Sequence, residues 1–197
     1  MSRLMVWVPM CPKPLAEQSL MDTAIDFCQR TEVVRYTIGP INVGASQGTY
    51  ALPVPQGVRV RRIERAEFAG RTLVMTDTTP NDGLTGTPTY LTSQDASTAT
   101  LYPAPDTTTA QALTLHVSLE PLRTATEVPD ELFTDWVETI VAGALYRIAS
   151  IPDQPFSNPV VAGEAAMRYQ YGVSKASSEV STKRVTSSSR VRSNPLA

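Results

Sequence analysis

Residues that carry chemistry are scarce in this chain. Histidine occurs once, at position 116, and cysteine twice, at 11 and 28. Two cysteines so far apart cannot build a metal cage of the CxxC kind, and they read as reduced thiols. Charged residues make up only 18% of the chain, so much of the surface must be Ser and Thr. No glycine-rich phosphate loop is present, and no ladder of alternating aromatic and basic residues, which removes the usual means of holding a nucleotide or a single strand. No apolar run is long enough for a spanning helix, and the run at Met1–Pro9 is too short for a secretory signal. The expectation is a chain with no membrane segment, no cofactor, no metal and no catalytic group.

What is there suffices for a real core: 42% of the 197 residues are hydrophobic, enough for one domain or a compact domain carrying an inserted lobe. The net charge is −2, unevenly spread. From Ser174 onward five basic residues (Lys175, Lys183, Arg184, Arg190 and Arg192) face one acid, Glu179. The body is therefore acidic, which excludes wrapping DNA by counterion release.

The hydrophobic period changes twice along the chain. Leu15 to Arg30 place Met21, Ala24, Ile25 and Cys28 at the spacing of one helical face. From Val33 the pattern turns to short β runs separated by Gly, Pro, Asn and Asp clusters: 33–38, 48–52, 58–65, 72–75, 89–92, 98–102 and 112–119. In the last run Leu113, Leu115, Val117 and Leu119 alternate with Thr114, His116, Ser118 and Glu120, which predicts one packed face and one wet face. An antiparallel sheet or small sandwich of about six strands follows, because no helix interrupts the runs to supply a parallel crossover. Helical spacing returns at Pro129 and continues to Ile151, with Leu132, Trp136, Ile140, Ala144 and Ile148 on one side. Asn158-Pro159 then opens a further helix to about Ser177.

The reading is an α+β fold: a helical body of three main helices (1–32 and 121–178), an inserted antiparallel β lobe (33–120), and an extended basic, Ser-rich arm (179–197).

Few constellations could carry chemistry. Gly44-Ala-Ser-Gln-Gly48 matches a nucleophile elbow in letters, but the elbow needs a helix after the serine and here Thr49-Tyr-Ala-Leu reads as a strand, so a hairpin loop is the better reading. His116 lies on the wet face of a strand with no orienting partner in the pattern. Asp22 and Asp26 are one helical turn apart, and Asp130, Glu131, Asp135 and Glu138 straddle a helix start, where acids suit the dipole; both groups read as solvated faces. Ala142-Gly143-Ala144 leaves a shallow stretch on its helix, open to close approach by a neighbouring backbone. Trp136, Ile140, Gly143 and Ala144 are accordingly candidates for the body or for a contact between subunits. The arm combines positive charge with a final Asn194-Pro-Leu-Ala, and Lys183, Arg184, Arg190, Arg192 and Leu196 are its candidate contacts, by strand addition or charge complementarity. Thr79, Asn81 and Asp82 in one polar loop, with Asp106 and Thr108 in another, are candidates for contact loops at the tip of the β lobe.

Val8-Pro-Met-Cys-Pro-Lys-Pro-Leu, with the helix ending Ala24-Ile-Asp-Phe-Cys-Gln-Arg-Thr, resembles the opening of tailed-phage head-to-tail adaptors of the tail tubular protein A-like kind. Thr87-Pro-Thr-Tyr-Leu, Leu101-Tyr-Pro-Ala-Pro, the segment from Val128-Pro-Asp-Glu-Leu to Ala144-Leu-Tyr-Arg, and Pro155-Phe-Ser-Asn-Pro extend the resemblance over about residues 8–175. The resemblance implies a structural virion protein at the head-to-tail junction, assembled in the host cytoplasm. It implies a ring, expected to hold twelve copies by analogy with portal symmetry, that touches the portal protein and a downstream tail or nozzle protein. Genomic DNA would pass through the lumen without specific binding. The alternatives are a tail-associated binding module whose β lobe recognises a receptor or glycan, and a hydrolase using Ser46.

Overall fold

The computed structural model describes residues 2–78 and 83–186. In chain order its elements are α1 (Ser2–Met5), α2 (Lys13–Thr31), β1 (Arg35–Val43), β2 (Thr49–Ala51), β3 (Val58–Phe68), β4 (Arg71–Thr72), β5 (Val74–Met75), β6 (Thr85–Gly86), β7 (Tyr90–Thr92), β8 (Thr98–Tyr102), β9 (Ala104–Pro105), β10 (Thr109–Pro121), α3 (Asp130–Asp135), α4 (Val137–Ala149) and α5 (Pro159–Thr186). The fold is α+β. Residues up to Val33 join those from Trp136 onward in one compact unit, and Val34–Asp135 form the other.

The helical unit is built on α4, whose residues Ile140 to Leu145 are all buried. Leu4, Val8 and Cys11 of the N-terminal segment pack with Leu145, Ile148, Phe156, Ala162 and Ala165 in one cluster. Asn158 caps α5 as its spacing predicts, accepting a bond from the Val161 amide at 3.2 Å. A close approach of three helices is at Gly143 of α4: a methyl group there would lie 2.5 Å from Thr23 Cγ2 of α2 and 2.8 Å from Tyr169 Cδ2 of α5. Three helices therefore meet at the one position on α4 that has no side chain.

Two helix boundaries depart from the sequence reading. The segment drawn as one helix from Pro129 to Ile151 is broken at Trp136, whose φ of −124° and ψ of 9° are not helical. The regular four-residue spacing from Leu132 to Ile148 explains why: each step of four drifts about 40° around an α-helix, so a single straight helix could not keep all five residues inward. The break coincides with the division between units, and residues 121–135 lie with the β unit. At the other end, α5 runs to Thr186, so residues 179–186, read as the start of an extended arm, are helical. Val173, Ala176 and Val180 are all buried and continue the three- and four-residue spacing past Ser177. Residues 187–197 lie outside the described residues.

In the β unit the larger sheet has the order β1-β10-β3-β4, antiparallel throughout. Leu113, Leu115, Val117 and Leu119 of β10 are buried on one face as the alternation predicts. The other face is not wet along its whole length: Ser118 and Glu120 are buried as well, Glu120 to 2% exposure. Its Oε1 accepts from Arg59 Nε and NH2 on β3, both at 2.6 Å. The strand pair places Glu120 directly opposite Arg59, so the carboxylate enters the sheet with its counter-charge.

A second sheet has the order β2-β8-β7-β5, and β6 pairs with β9 apart from both. Two of these pairings, β5 with β7 and β6 with β9, are parallel, which the sequence reading did not foresee. Parallel pairing needs only a connection of about a dozen residues, helical or not, and the 76–89 stretch between β5 and β7 is that long.

Replacing Gly143 by Ala is expected to cost about 1–3 kcal/mol through overpacking. Gly163→Ala, where a methyl meets nothing within 4 Å, should gain up to about 1 kcal/mol from helix propensity. Denaturant midpoints of the two variants, shifting in opposite directions, check this. Arg59→Met should cost about 3 kcal/mol by stranding the buried Glu120 carboxylate, and adding Glu120→Gln should return part of it in the same measurement.

Candidate interaction surfaces

The four candidates on the middle helix segment are internal to the helical unit. Trp136, Ile140, Gly143 and Ala144 are all buried. Trp136 stacks at a tilt on Phe27 with ring centroids 5.4 Å apart, and Lys175 Nζ lies 5.9 Å from the Trp136 ring centroid. Beside Gly143, Tyr169 Oη donates to Asp26 Oδ2 at 2.6 Å. Arg30 lies over the Tyr169 ring and donates to Gln170 Oε1 at 2.8 Å. Burial, reinforced by the Asp26 carboxylate, pushes the Tyr169 hydroxyl above the ordinary tyrosine range. Asp26, read as part of a solvated pair, thus ties α2 to α5.

The outward side of this unit carries apolar groups that the sequence reading did not single out. Val160, Met167 and Tyr171 are 72%, 68% and 74% exposed. Their spacing places them on one stripe of α5, opposite the face that buries Ala165, Tyr169 and Ala176. The Glu164–Arg168 ion pair, 3.7 Å, flanks the stripe. A second patch, Val6, Trp7 and Met10, is exposed on the N-terminal segment. The signal for the stripe was available: α5 has apolar residues at the centre of both of its faces, which a helix packed on one side alone does not need.

In the β unit, the two loops singled out as a tip are joined to each other. Thr85 and Gly86 from the first pair with Ala104 and Pro105 from the second, and the Ala104 amide donates to Leu84 O at 3.0 Å. The Gly44–Gly48 turn joins them: the Ser46 amide donates to Pro105 O at 2.7 Å and the Ala45 amide to Thr108 Oγ1 at 3.2 Å. Asp106 and Thr108 are exposed there, whereas Thr79, Asn81 and Asp82 lie outside the described residues. Nearby strands β7 and β8 are joined by a turn organised around Asp95. Its carboxylate accepts from the Ser97 and Thr98 amides and hydroxyls, and these bonds hold it below the usual carboxylate range.

The Ser46 turn is not a hairpin. It leads from β1, paired with β10, to β2, paired with β8, and so passes from one sheet to the other. Ser46 adopts φ 60° and is followed by a strand. His116 Nδ1 is bonded to Thr37 Oγ1 at 3.2 Å within its own sheet. Neither cysteine is in a disulfide, both are buried, and burial raises the Cys11 thiol pKa. Among the described residues no group of three or more His, Cys, Asp or Glu could hold a metal ion, and no helix is long and apolar enough to cross a membrane. Of the arm candidates, Lys183 and Arg184 fall within α5; Arg190, Arg192 and Leu196 lie outside the described residues.

The sequence profile of the family described as SU10 adaptor protein matches residues 4–194, nearly the whole chain and both units. The chain belongs to the SU10 adaptor protein family. Membership makes it a phage adaptor protein, and the resemblance to tailed-phage head-to-tail adaptors seen in its motifs agrees with this. A phage adaptor is a virion component that contacts other virion components. No curated protein matches the chain in sequence.

The raised Tyr169 pKa gives the adaptor a pH signature. The unfolded chain loses its tyrosine protons near pH 10 while folded Tyr169 keeps its own, so stability present below pH 10 falls as pH rises beyond it. Wild type should lose up to about 1.4 kcal/mol per pH unit more than Tyr169→Phe above pH 10. Denaturant titrations at pH 9 and 11 check it, and equal losses in the two proteins would remove the assignment.

Proposed function

We propose that this adaptor is a non-catalytic head-to-tail connector whose copies close into a ring, twelve by analogy with portal symmetry, between the portal and the tail. The observation that carries the reading is the family match across both units. A ring of identical subunits needs two different complementary patches per subunit, so that each contact repeats by rotation until it closes. The helical unit offers two: the outer stripe of α5 and the Val6–Trp7–Met10 patch. Trp136, Ile140, Gly143 and Ala144 act as the packed centre that sets their spacing.

In this reading the ring extends the DNA channel, with no specific binding of the genome, in keeping with the acid excess outside the C-terminal region. The C-terminal residues Arg190, Arg192 and Leu196, with Lys183 and Arg184 at the end of α5, dock on the portal. The tip formed by the Gly44–Gly48 turn and the loops bearing Thr79, Asn81, Asp82, Asp106 and Thr108 faces the downstream tail or nozzle protein. The chain is made and assembled in the host cytoplasm.

Electron-microscopy class averages of isolated necks should show this chain as a closed ring against the portal; its absence from that vertex would overturn the reading. Deleting residues 187–197, which spares α5, should reduce co-sedimentation with portal rings by about tenfold or more, the effect of losing Arg190 and Arg192 together. Unchanged binding would remove the C-terminal residues from the portal contact.

A further inference from the structure

The hairpin of β3 and β4 comes apart part-way along its length. Near its turn the strands are paired, Phe68 with Arg71 and Glu67 with Thr72, and the Leu73 amide still donates to Ala66 O at 2.9 Å. Beyond Leu73 the chain leaves β3: the Val74 and Thr76 amides donate instead to Thr89 and Leu91 O of β7. The Met75 amide and carbonyl, alternating with these, point away from β7. Facing them across a gap is the 58–65 stretch of β3, which pairs with β10 on its other side and, among the described residues, with no strand on this one. The result is a groove of about 460 Å³ between residues 60–64 of β3 and 75–77, floored by the 93–96 turn.

Two further features mark it as a built receptor for polypeptide. The register of β3 against β10 slips twice, leaving Arg61 and Glu64 as extra residues in the ladder, and β-bulges of this kind re-aim side chains. Both line the groove. Glu64 is held by Arg35 at 3.6 Å, and Asp95 by its turn. Arg61 at one wall and Asp77 at the other have no ion pair among the described residues. Two open strand edges present rows of backbone donors and acceptors at one spacing, which another extended backbone matches and a sugar does not.

We propose that this groove receives an extended segment of a tail-side virion protein by strand addition, with an acidic side chain opposite Arg61 and a basic one opposite Asp77. The inserted strand joins the two sheets through β3 and β5. The occupant comes from another protein rather than from a second copy of this chain. Leu4, Val8 and Cys11 anchor the N-terminal segment in the helical unit, so it is not free to be donated, and Arg190 and Arg192 would bring like charge to Arg61 and Arg62. The direction of the partner rests on the proposed function, which assigns the stretch of sequence following Asp77, with Thr79, Asn81 and Asp82, to the tail side.

The test uses phage particles carrying the full-length adaptor with Arg61→Cys, and separately Gln94→Cys. Both sites are exposed and the native cysteines are buried, so a thiol-directed photo-crosslinker attaches at the groove. Mass spectrometry of the adducts should identify one segment of a tail-side protein from both positions. Adducts to a second copy of this chain overturn the choice of occupant, and no adduct in particles that contain the adaptor overturns the groove itself. Absence of the adaptor from the particles is a different result, since it defeats the head-to-tail reading. As a second readout, Arg61→Glu should lower the yield of tailed particles by about tenfold or more while heads still carry the adaptor; normal yield overturns the proposal.

Discussion

Two stretches of chain separated by a hundred residues must meet in the helical unit, and they do so where α4 has no side chain, at Gly143. Thr23 of α2 and Tyr169 of α5 occupy the volume that a methyl group would claim. That crossing sets how α5 presents itself. With Ala165, Tyr169 and Ala176 turned inward, the helix must turn Val160, Met167 and Tyr171 outward. Tyr169 serves twice, filling the space beside Gly143 and closing a hydrogen bond on Asp26. The outer surface of this unit is thus fixed by its interior.

The β unit solves a different problem, that of having open edges. Its longest strand, β10, lies inside a sheet with a neighbour along each side. The first residue of the unit is tied to it as well, the Leu119 amide donating to Val34 O at 2.9 Å. Edge strand β1 contains Pro40 and two register shifts, features that discourage pairing with strangers. The outer edge of β3 has two bulges but remains accessible over most of its length. The tip loops, by contrast, bond to one another through Leu84–Gly86, Ala104–Pro105 and Ser46.

Much of this was legible in the sequence, for reasons particular to each element. Alternation in β10 was clean because one face is packed from Leu113 to Leu119, and the proline after Asn158 marked a helix start that the cap geometry bears out. α2 was found, although its largest fully buried side chain, Phe27, was not among those that signalled it; Met21, which was, is only half-buried. The break at Trp136 was missed because equal spacing looks like a single face until its angular drift is summed. The last turns of α5 were missed because Ser and Lys outnumber the three small apolar residues that keep it packed. The joined tip loops and the two-residue parallel pairs could not have been read at all: pairs so short leave no periodicity. The apolar groups on α5 were visible as letters, but only the burial of the opposite face gives them meaning.

The division of the helical unit also matters during synthesis. When α2 leaves the ribosome its partners have not been made, and it must wait, with Phe27 and Cys28 uncovered, until α4 and then α5 emerge more than a hundred residues later. The β unit has all of its strands by Pro121 and is free to fold first, as domains on a growing chain generally do. Closure of the helices therefore follows the β unit on the nascent polypeptide, and the outer stripe of α5 takes shape only once α4 and α5 have emerged. A chain cannot display that stripe before α2, the β unit and α4 have all been made.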